Sequence, residues 1–347
     1  MRNKIFALII FCFFSTGVLA DDSAFFSSVL TTVQQKHLTS INIEDFTISG
    51  LKGFFSSYKD LTFSNGSDMV YLYHQNQQIA MLRKPENSQD INAWADITAA
   101  ISKKLAKLFN QNSSLITEYI VFFSVQSLQD HSRYHFSSEN TASSQDDTYY
   151  NMLDEQILYL KFSNFNSDNS TAIRTAIEKY PDNKGIIIDL RGNQGGPINE
   201  AITIAKLFID EGIILSTKGK TFGSEKYYIS DTKSAISKPL AILIDQNTAS
   251  SAEILAAALK EQAQAILIGT TSFGKGSYQE TYMFENGGKL TLTVGEYFTP
   301  SGKNIDQKGL SPDYCIISDQ LFEQSPCPKQ NRENQLFDIE FAVEKLR

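Results

Sequence analysis

Short apolar runs alternate with helical stretches along the chain from residue 157 to residue 269. The apolar runs have the length of buried strands, and the stretches between them have helical periodicity. The predicted strands are 157–162, 185–190, 212–216, 239–245 and 265–269, and the predicted helices are 170–179, 199–210 and 251–261. Because strands alternate with helices, the pattern predicts an α/β fold built on a largely parallel sheet covered by helices.

The region before residue 136 has a different pattern, with mainly helical signals and few strands. The runs 69–73 and 78–83 flank a polar turn and predict a hairpin. The run 119–123 is either a buried strand or part of a helix, since periodicity over five residues does not separate the two. A clear amphipathic helix is predicted over 91–109 from apolar residues at helical spacing, namely Ile91, Trp94, Ile97, Ile101, Leu105 and Leu108.

A polar segment separates these two regions. Residues 137–148 are rich in Ser, Asn, Gln and Asp and nearly lack apolar residues, which is typical of a linker or loop. We therefore expect a mainly helical N-terminal domain over 21–150 that ends in this linker. An α/β domain with a C-terminal tail should then occupy residues 151–347.

The first twenty residues have the pattern of a signal peptide. Arg2 and Lys4 precede the apolar run 5–14, and Val18-Leu19-Ala20 is a small-residue cleavage site before Asp21. A membrane anchor is the alternative, but the apolar run is much shorter than the roughly 20 residues that span a bilayer. We expect cleavage after residue 20 and a periplasmic or secreted product.

The charge and the cysteine content of the mature chain argue against several classes of function. The formal net charge of −8 becomes −10 when residues 1–20 are removed, which disfavours nucleic-acid binding. No later apolar run is long enough to span a bilayer, so stable membrane insertion is not expected. The mature chain keeps only Cys315 and Cys327, and in an oxidising compartment such a pair favours a disulfide over a metal site.

The histidines argue against a histidine-based triad in the α/β region, because all four of them precede it: His37, His74, His131 and His135. The last two have the i, i+4 spacing of a helical metal pair, but Ser132-Arg-Tyr134 between them lacks the glutamate of H-E-x-x-H. We interpret them as ordinary surface or capping residues and expect neither a metal nor a cofactor.

Ser250 begins a predicted helix and supports two interpretations. With Glu253 it fits a capping box, in which the serine caps the helix and the glutamate reaches back. The same position suits a nucleophile, because free N–H groups and the positive end of the helix dipole converge there and can stabilise an oxyanion. The local motif does not separate the two.

Lys275 lies between Gly274 and Gly276, where the backbone can approach other groups closely. It is either a solvated loop lysine or a general base, and a base requires burial to lower its pKa from about 10.4 toward neutrality. The segment 269–275 also fits the G-x-x-x-x-G-K of a phosphate-binding loop. That interpretation is disfavoured, because Gly276 replaces the Ser or Thr that binds magnesium and a strand-like run follows.

The segment 189–196, DLRGNQGG, leaves a predicted strand and enters a predicted helix. It is either a tight turn or a glycine-rich loop whose N–H groups bind an anion or oxyanion.

Taken together, these elements resemble the carboxyl-terminal processing, or tail-specific, serine protease family, whose catalytic domain has a crotonase-like α/β fold. The resemblance covers about residues 157–313, and its motifs occur in the family's order. They are YLKF (159–162), DLRGNQGG (189–196), TASSAEI (248–254), FGKGSYQ (273–279), YFTPSGK (297–303) and KGLSPD (308–313).

The resemblance implies a Ser/Lys dyad that hydrolyses peptide bonds in polypeptide substrates. It assigns Ser250 as nucleophile, Lys275 as base and Gln279 as the residue that positions the lysine. It also implies an oxyanion hole formed by backbone N–H groups of Ser251 and of one glycine, Gly195 or Gly196.

Two departures from the family pattern stand out. The family usually has a PDZ domain before its catalytic core, but here only 136–156 separates the N-terminal region from the first core strand. The helix start reads Ser250-Ser-Ala where Ser-Ala-Ser is usual. The alternative function is a non-catalytic module of the same fold that binds a peptide or hydrophobic ligand. The joint presence of Ser250, Lys275 and Gln279 favours the enzyme.

Overall fold

The computed structural model describes residues 21–136 and 148–347, apart from residues 155, 222, 234, 324 and 334. The predicted signal peptide and almost all of the predicted linker lie outside these residues. Contacts divide the chain into two units, Met1–Glu139 with Thr281–Leu292, and Asn140–Glu280 with Thr293–Arg347.

The described residues of the first unit form four helices and an antiparallel sheet of three strands in the order β1-β2-β3. In chain order its elements are α1 (Asp22–Lys36), α2 (Ile43–Ser56), β1 (Leu61–Asn65), β2 (Met69–His74), β3 (Gln77–Arg83), α3 (Ile91–Phe109), α4 (Ser113–Gln126) and β4 (Arg133–His135).

Local signals explain the elements of this unit. The predicted hairpin is confirmed as β2 and β3, joined by Gln75 and Asn76 with φ of 50° and 64°, the left-handed pair that a tight hairpin turn requires. The predicted helix is confirmed as α3, with Asp90 as its side-chain cap. The ambiguous run 119–123 is helical and belongs to α4, which begins where Asn112 accepts a hydrogen bond from the Ser114 nitrogen.

The second unit is an α/β arrangement, as the alternating pattern predicts. Its elements are β5 (Tyr149–Leu153), β6 (Ile157–Lys161), α5 (Asn169–Lys179), β7 (Gly185–Asp189), α6 (Ile198–Phe208), β8 (Glu211–Gly219), β9 (Lys226–Asp231), β10 (Leu240–Ile244), α7 (Ser251–Gln262), β11 (Ile266–Gly269), β12 (Ser277–Met283), β13 (Lys289–Phe298), β14 (Tyr314–Ile317), β15 (Gln320–Leu321) and α8 (Leu336–Leu346). Strands β12 and β13 contribute residues to both units.

The main sheet has seven strands in the order β15-β14-β11-β10-β7-β6-β5. Its central strands, from β6 through β7, β10 and β11 to β14, are parallel, so the predicted parallel sheet is confirmed. The predicted strand 212–216 does not join it. That run lies in β8, which pairs antiparallel with β9 and β13. The pairing with β9 is antiparallel because the connection between the two strands is too short for the crossover that a parallel neighbour needs.

Helices cover both faces of the parallel sheet. Alternate strand residues point to opposite faces, so Leu158 and Ile188 pack against α5, α6 and α7, whereas Tyr159 and Ile187 pack against α8. None of the helices in the described ranges is long and apolar enough to cross a membrane.

The predicted disulfide joins Cys315 on β14 to Cys327. Its loop contains 11 residues, so the double variant Cys315→Ser/Cys327→Ser should lose about 3 kcal/mol of unfolding free energy through the entropy of the unfolded chain. Urea denaturation measures this loss. Reductant should bring the mature wild-type protein to the midpoint of the variant and leave the variant unchanged. Equal midpoints in oxidising buffer would contradict the prediction.

Candidate active site

The candidate site lies where three loops leave the carboxyl ends of β7, β10 and β11, which are neighbours in the parallel sheet. In open α/β sheets this edge is where ligands usually bind. Hydrogen bonds connect the loops, since the Ala249 nitrogen donates to the Asn193 oxygen at 2.9 Å and the Phe273 nitrogen to the Thr248 oxygen at 3.0 Å. The structure therefore brings together three motifs that are far apart in sequence.

Ser250 is the N-cap of α7 and is half-buried. Its backbone has φ 58° and ψ −122°, a conformation that glycine adopts without strain and that costs other residues about 1–3 kcal/mol. Such strain persists only where the surrounding structure enforces it, and it is common at reactive residues.

Glu253 is the residue that holds this backbone. Its carboxylate is fully buried, and its Oε2 accepts hydrogen bonds from the Ser250 nitrogen at 3.0 Å and from the Lys275 nitrogen at 2.8 Å. Its Oε1 accepts from the Ser272 hydroxyl at 2.5 Å and from the Gly274 nitrogen at 2.7 Å. One carboxylate thus ties the backbone of the candidate nucleophile to that of the candidate base.

Burial raises the pKa of Glu253, while its hydrogen bonds act in the opposite direction. The sequence indicates only a capping role for this residue, and the link to Lys275 is not visible in the local motif. The sequence contains a further signal, because Glu253 is the one charged residue within 251–259, a segment of alanine, leucine, isoleucine and one serine. A carboxylate in such a segment is expected to be buried and then needs several donors.

Lys275 is half-buried and follows a glycine that allows close packing. Gly274 has φ of 88°, and a Cβ atom there would lie 2.7 Å from the Gly309 nitrogen. After Gly276 the chain enters strand β12 at Ser277 instead of a helix, which supports the exclusion of a phosphate-binding loop.

The glycines of the segment 189–196 approach the serine closely. Gly195 has φ of 93°, and a Cβ atom there would lie 2.9 Å from the Ser250 Cβ and 3.0 Å from the Ser251 nitrogen. The Gly195 nitrogen donates to the Asn193 Oδ1 at 2.8 Å. The Ser251 hydroxyl donates to the Gly196 oxygen at 2.8 Å, so the glycine loop and the start of α7 are fixed against each other.

Gln279 lies on β12, four residues after Lys275. Its Nε2 donates to the Ser277 hydroxyl at 3.3 Å and to the Thr293 hydroxyl at 3.4 Å. These bonds fix its side chain on the strand that continues from the lysine loop.

A buried ion pair fixes the start of the glycine loop, residues 189–196. The Arg191 guanidinium and the Asp189 carboxylate are almost fully buried and form two hydrogen bonds of 2.6 and 2.8 Å. The Tyr159 hydroxyl donates to the same carboxylate at 2.6 Å. Burial, and then the charge of Asp189, raise the pKa of Tyr159, so its hydroxyl remains a donor.

The histidines are found in the first unit. His135 is in strand β4, so His131 and His135 do not form a helical pair. His37 is buried, and its Nε2 lies 2.7 Å from the Asp130 Oδ2. Within the part of the chain that the structure describes, no group of three or more His, Cys, Asp or Glu residues could hold a metal ion.

Several known proteins are similar to this chain over the region that contains the candidate site. Residues 156–316 match the sequence profile of peptidase family S41. The chloroplastic carboxyl-terminal-processing peptidase 2 of Arabidopsis thaliana is 39% identical over 163 residues, which are 46% of this chain and 32% of that protein. The carboxy-terminal processing protease CtpA of Bacillus subtilis is 36% identical over 166 residues, 47% of this chain and 36% of that protein. A solved lipoprotein from Streptococcus agalactiae is 18% identical, with a TM-score of 0.56, and the match covers 96% of this chain and 99% of that one.

Residues 156–316 are therefore similar to peptidase family S41. The relatives that match this chain include carboxyl-terminal processing proteases, which confirms the resemblance predicted from the motifs. The matched segment spans about a third of the length of these relatives. The streptococcal lipoprotein shows that a similar fold extends over nearly the whole chain, and at this identity it shows the fold alone.

Proposed function

We propose that this chain is an exported serine endopeptidase that hydrolyses peptide bonds in polypeptides with Ser250 and Lys275. The observation that carries the proposal is the Glu253 carboxylate, whose Oε2 accepts hydrogen bonds from the backbone nitrogens of both residues. The strained serine at the start of α7 and the similarity to peptidase family S41 support the same function. Export rests on the signal-peptide pattern of residues 1–20.

In the proposed mechanism, the Ser250 hydroxyl attacks the peptide carbonyl carbon while the Lys275 amine accepts its proton. The protonated amine returns that proton to the leaving nitrogen, and water then hydrolyses the acyl-enzyme by the same route. Gln279 orients the lysine from strand β12. No cofactor is required, because the attacking hydroxyl, the base and the oxyanion donors all belong to the chain.

The oxyanion hole of this mechanism consists of the N–H groups of Gly196 and Ser251. Gly196 is favoured over Gly195, because the Gly195 N–H already donates to the Asn193 side chain at 2.8 Å. Ser251 is the first residue of α7, where backbone N–H groups point along the positive end of the helix dipole.

The proposed architecture is a signal peptide over 1–20, a mainly helical domain over 21–150 and a crotonase-like protease domain with a tail over 151–347. The experiment that tests the function is incubation of the mature protein with an unfolded polypeptide, with a Ser250→Ala variant as control. Fragments produced by the wild-type protein and not by the variant support a serine peptidase. Inactivity of the wild-type protein toward varied unfolded substrates would favour the binding module of the same fold.

Substrate selection should depend weakly on the substrate's C-terminus. The residues between the N-terminal region and the first core strand are too few for a PDZ domain. We therefore expect the substrate-binding groove of the proposed protease domain and the N-terminal region to select substrates. The same peptide with a free and with an amidated C-terminus should be cleaved with values of kcat/KM that agree within about threefold. An exposed ion pair with the terminal carboxylate of the substrate would contribute well under 1.4 kcal/mol, the free energy that corresponds to a tenfold difference. A loss of a hundredfold on amidation would contradict this prediction.

A further inference from the structure

One C-terminal segment contacts two of the three loops of the candidate site directly. The Gln330 oxygen accepts from the Gln246 nitrogen at 3.0 Å and from the Thr270 hydroxyl at 2.6 Å, and the Pro328 oxygen accepts from the Thr271 nitrogen at 3.1 Å. The contacted loops follow β10 and β11, and they carry Ser250 and Lys275. We refer to the described residues 327–333 and 335–338 as the C-terminal strap.

Both ends of the strap are fixed. At its start, the disulfide bonds Cys327 to Cys315 on β14. Toward its end, the Arg191 Nη1 donates to the Arg332 oxygen at 2.9 Å and to the buried Asp338 carboxylate at 3.1 Å. Because Arg191 belongs to the glycine loop, the strap is also connected to the third loop of the site.

Lys329 makes the contact nearest to the candidate base. Its side chain is exposed, yet its ammonium donates to the Phe273 oxygen at 2.6 Å and to the Gln307 oxygen at 3.4 Å. The peptide group between Phe273 and Gly274 is therefore bound on both sides, because its N–H donates to the buried Glu253 carboxylate at 2.7 Å. A charge-assisted bond to the carbonyl also strengthens the N–H as a donor.

We propose that Lys329 is a positioning residue, through which the strap fixes the loop that carries Lys275. This inference rests on the proposed peptidase function. Lys329 acts on the Phe273 carbonyl and not on the substrate. Its loss should affect the rate of the chemical step more than the binding of substrate, since the base and the nucleophile must be aligned for proton transfer.

The test compares Lys329→Met with Lys238→Met. Lys238 makes the same kind of contact away from the site, with its ammonium 2.6 Å from the Asn183 oxygen and 3.3 Å from the Pro181 oxygen. Both variants should have a similar, small effect on thermal stability. Only Lys329→Met should lower kcat, by about tenfold with KM unchanged, and Lys329→Arg should restore it because arginine keeps the charged donor.

Hydrogen exchange adds a readout that needs no turnover. In Lys329→Met the amides of Gly274 and Lys275 should exchange about tenfold faster than in the wild-type protein, and in Lys238→Met they should not change. Unchanged exchange at these amides, or unchanged kcat in an active Lys329→Met enzyme, would overturn the inference. Failure of the wild-type protein to cleave any polypeptide would instead count against the peptidase function, and exchange alone would then decide whether Lys329 fixes the loop.

Discussion

Replacing Lys275 with alanine or arginine should lower kcat for cleavage of an unfolded polypeptide by about 10³-fold or more, while the fold remains intact. Alanine removes the amine that accepts the Ser250 proton. Arginine keeps a positive charge but remains protonated at working pH, so it cannot act as a base. Steady-state kinetics with one peptide, together with thermal denaturation of each variant, measures the effect.

Three further variants and a rescue experiment sharpen this test. Ser250→Ala should be as inactive as the lysine variants, and Gln279→Ala should lose less, because it orients the base without accepting the proton. Lys218→Ala should keep wild-type activity, since Lys218 is exposed and its ion pair with Glu225 is a long 3.9 Å. Added primary amines should restore part of the activity of Lys275→Ala and none of that of Ser250→Ala. Wild-type activity in Lys275→Ala would exclude Lys275 as the base.

Glu253→Gln should destabilise the protein by about 2–4 kcal/mol and lower kcat by about 10²-fold. Each Glu253 oxygen accepts two hydrogen bonds, and a glutamine amide has only one oxygen. The NH₂ group of the glutamine would therefore face either the N–H groups of Ser250 and Lys275 or the Gly274 N–H beside the Ser272 hydroxyl, which can accept as well as donate. In either orientation at least one backbone N–H loses its acceptor. The backbone would then have to shift away from the arrangement that aligns nucleophile and base.

The matched control is Glu261→Gln on the same helix. Glu261 also accepts two hydrogen bonds, from the Ser301 nitrogen and hydroxyl at 2.7 and 3.0 Å, but these bonds are exposed to solvent and water can replace them. It should cost less than about 1 kcal/mol and leave kcat unchanged. If Glu253→Gln behaved like this control, the carboxylate would not be what aligns the two residues.

Local patterns predict the elements in which an apolar periodicity is sustained or a capping residue marks an end. Helix α3 has the predicted bounds because its apolar period is sustained and because Asp90 caps its start, while Asn110 ends it in a left-handed conformation with φ of 53°. The run 119–123 is too short for its period to be informative. Its helical state follows from its position within α4, a longer segment with its own cap.

Contacts between residues that are far apart in the sequence could not be predicted from local patterns. Arg191 and Asp338 are 147 residues apart, and no local pattern indicates that helix α8 covers the second face of the parallel sheet. Six site residues are predicted through the family resemblance of the motifs, and their roles stay predictions: Gly195 or Gly196 with Ser251 for the oxyanion hole, and Ser250, Lys275 and Gln279 for the chemistry. Glu253 was recognised only as a cap, since its bond to Lys275 depends on how two loops meet in space.

The strained backbone of Ser250 predicts which replacement this position favours during evolution. At φ 58° and ψ −122° glycine would be the more stable residue, so serine at this position works against the stability of the chain. Under the proposed function, selection for the Ser250 hydroxyl opposes replacement by glycine. A related protein without peptidase activity would gain stability from that single substitution. A glycine at the start of the helix equivalent to α7 would then mark relatives that keep the fold without the proposed chemistry.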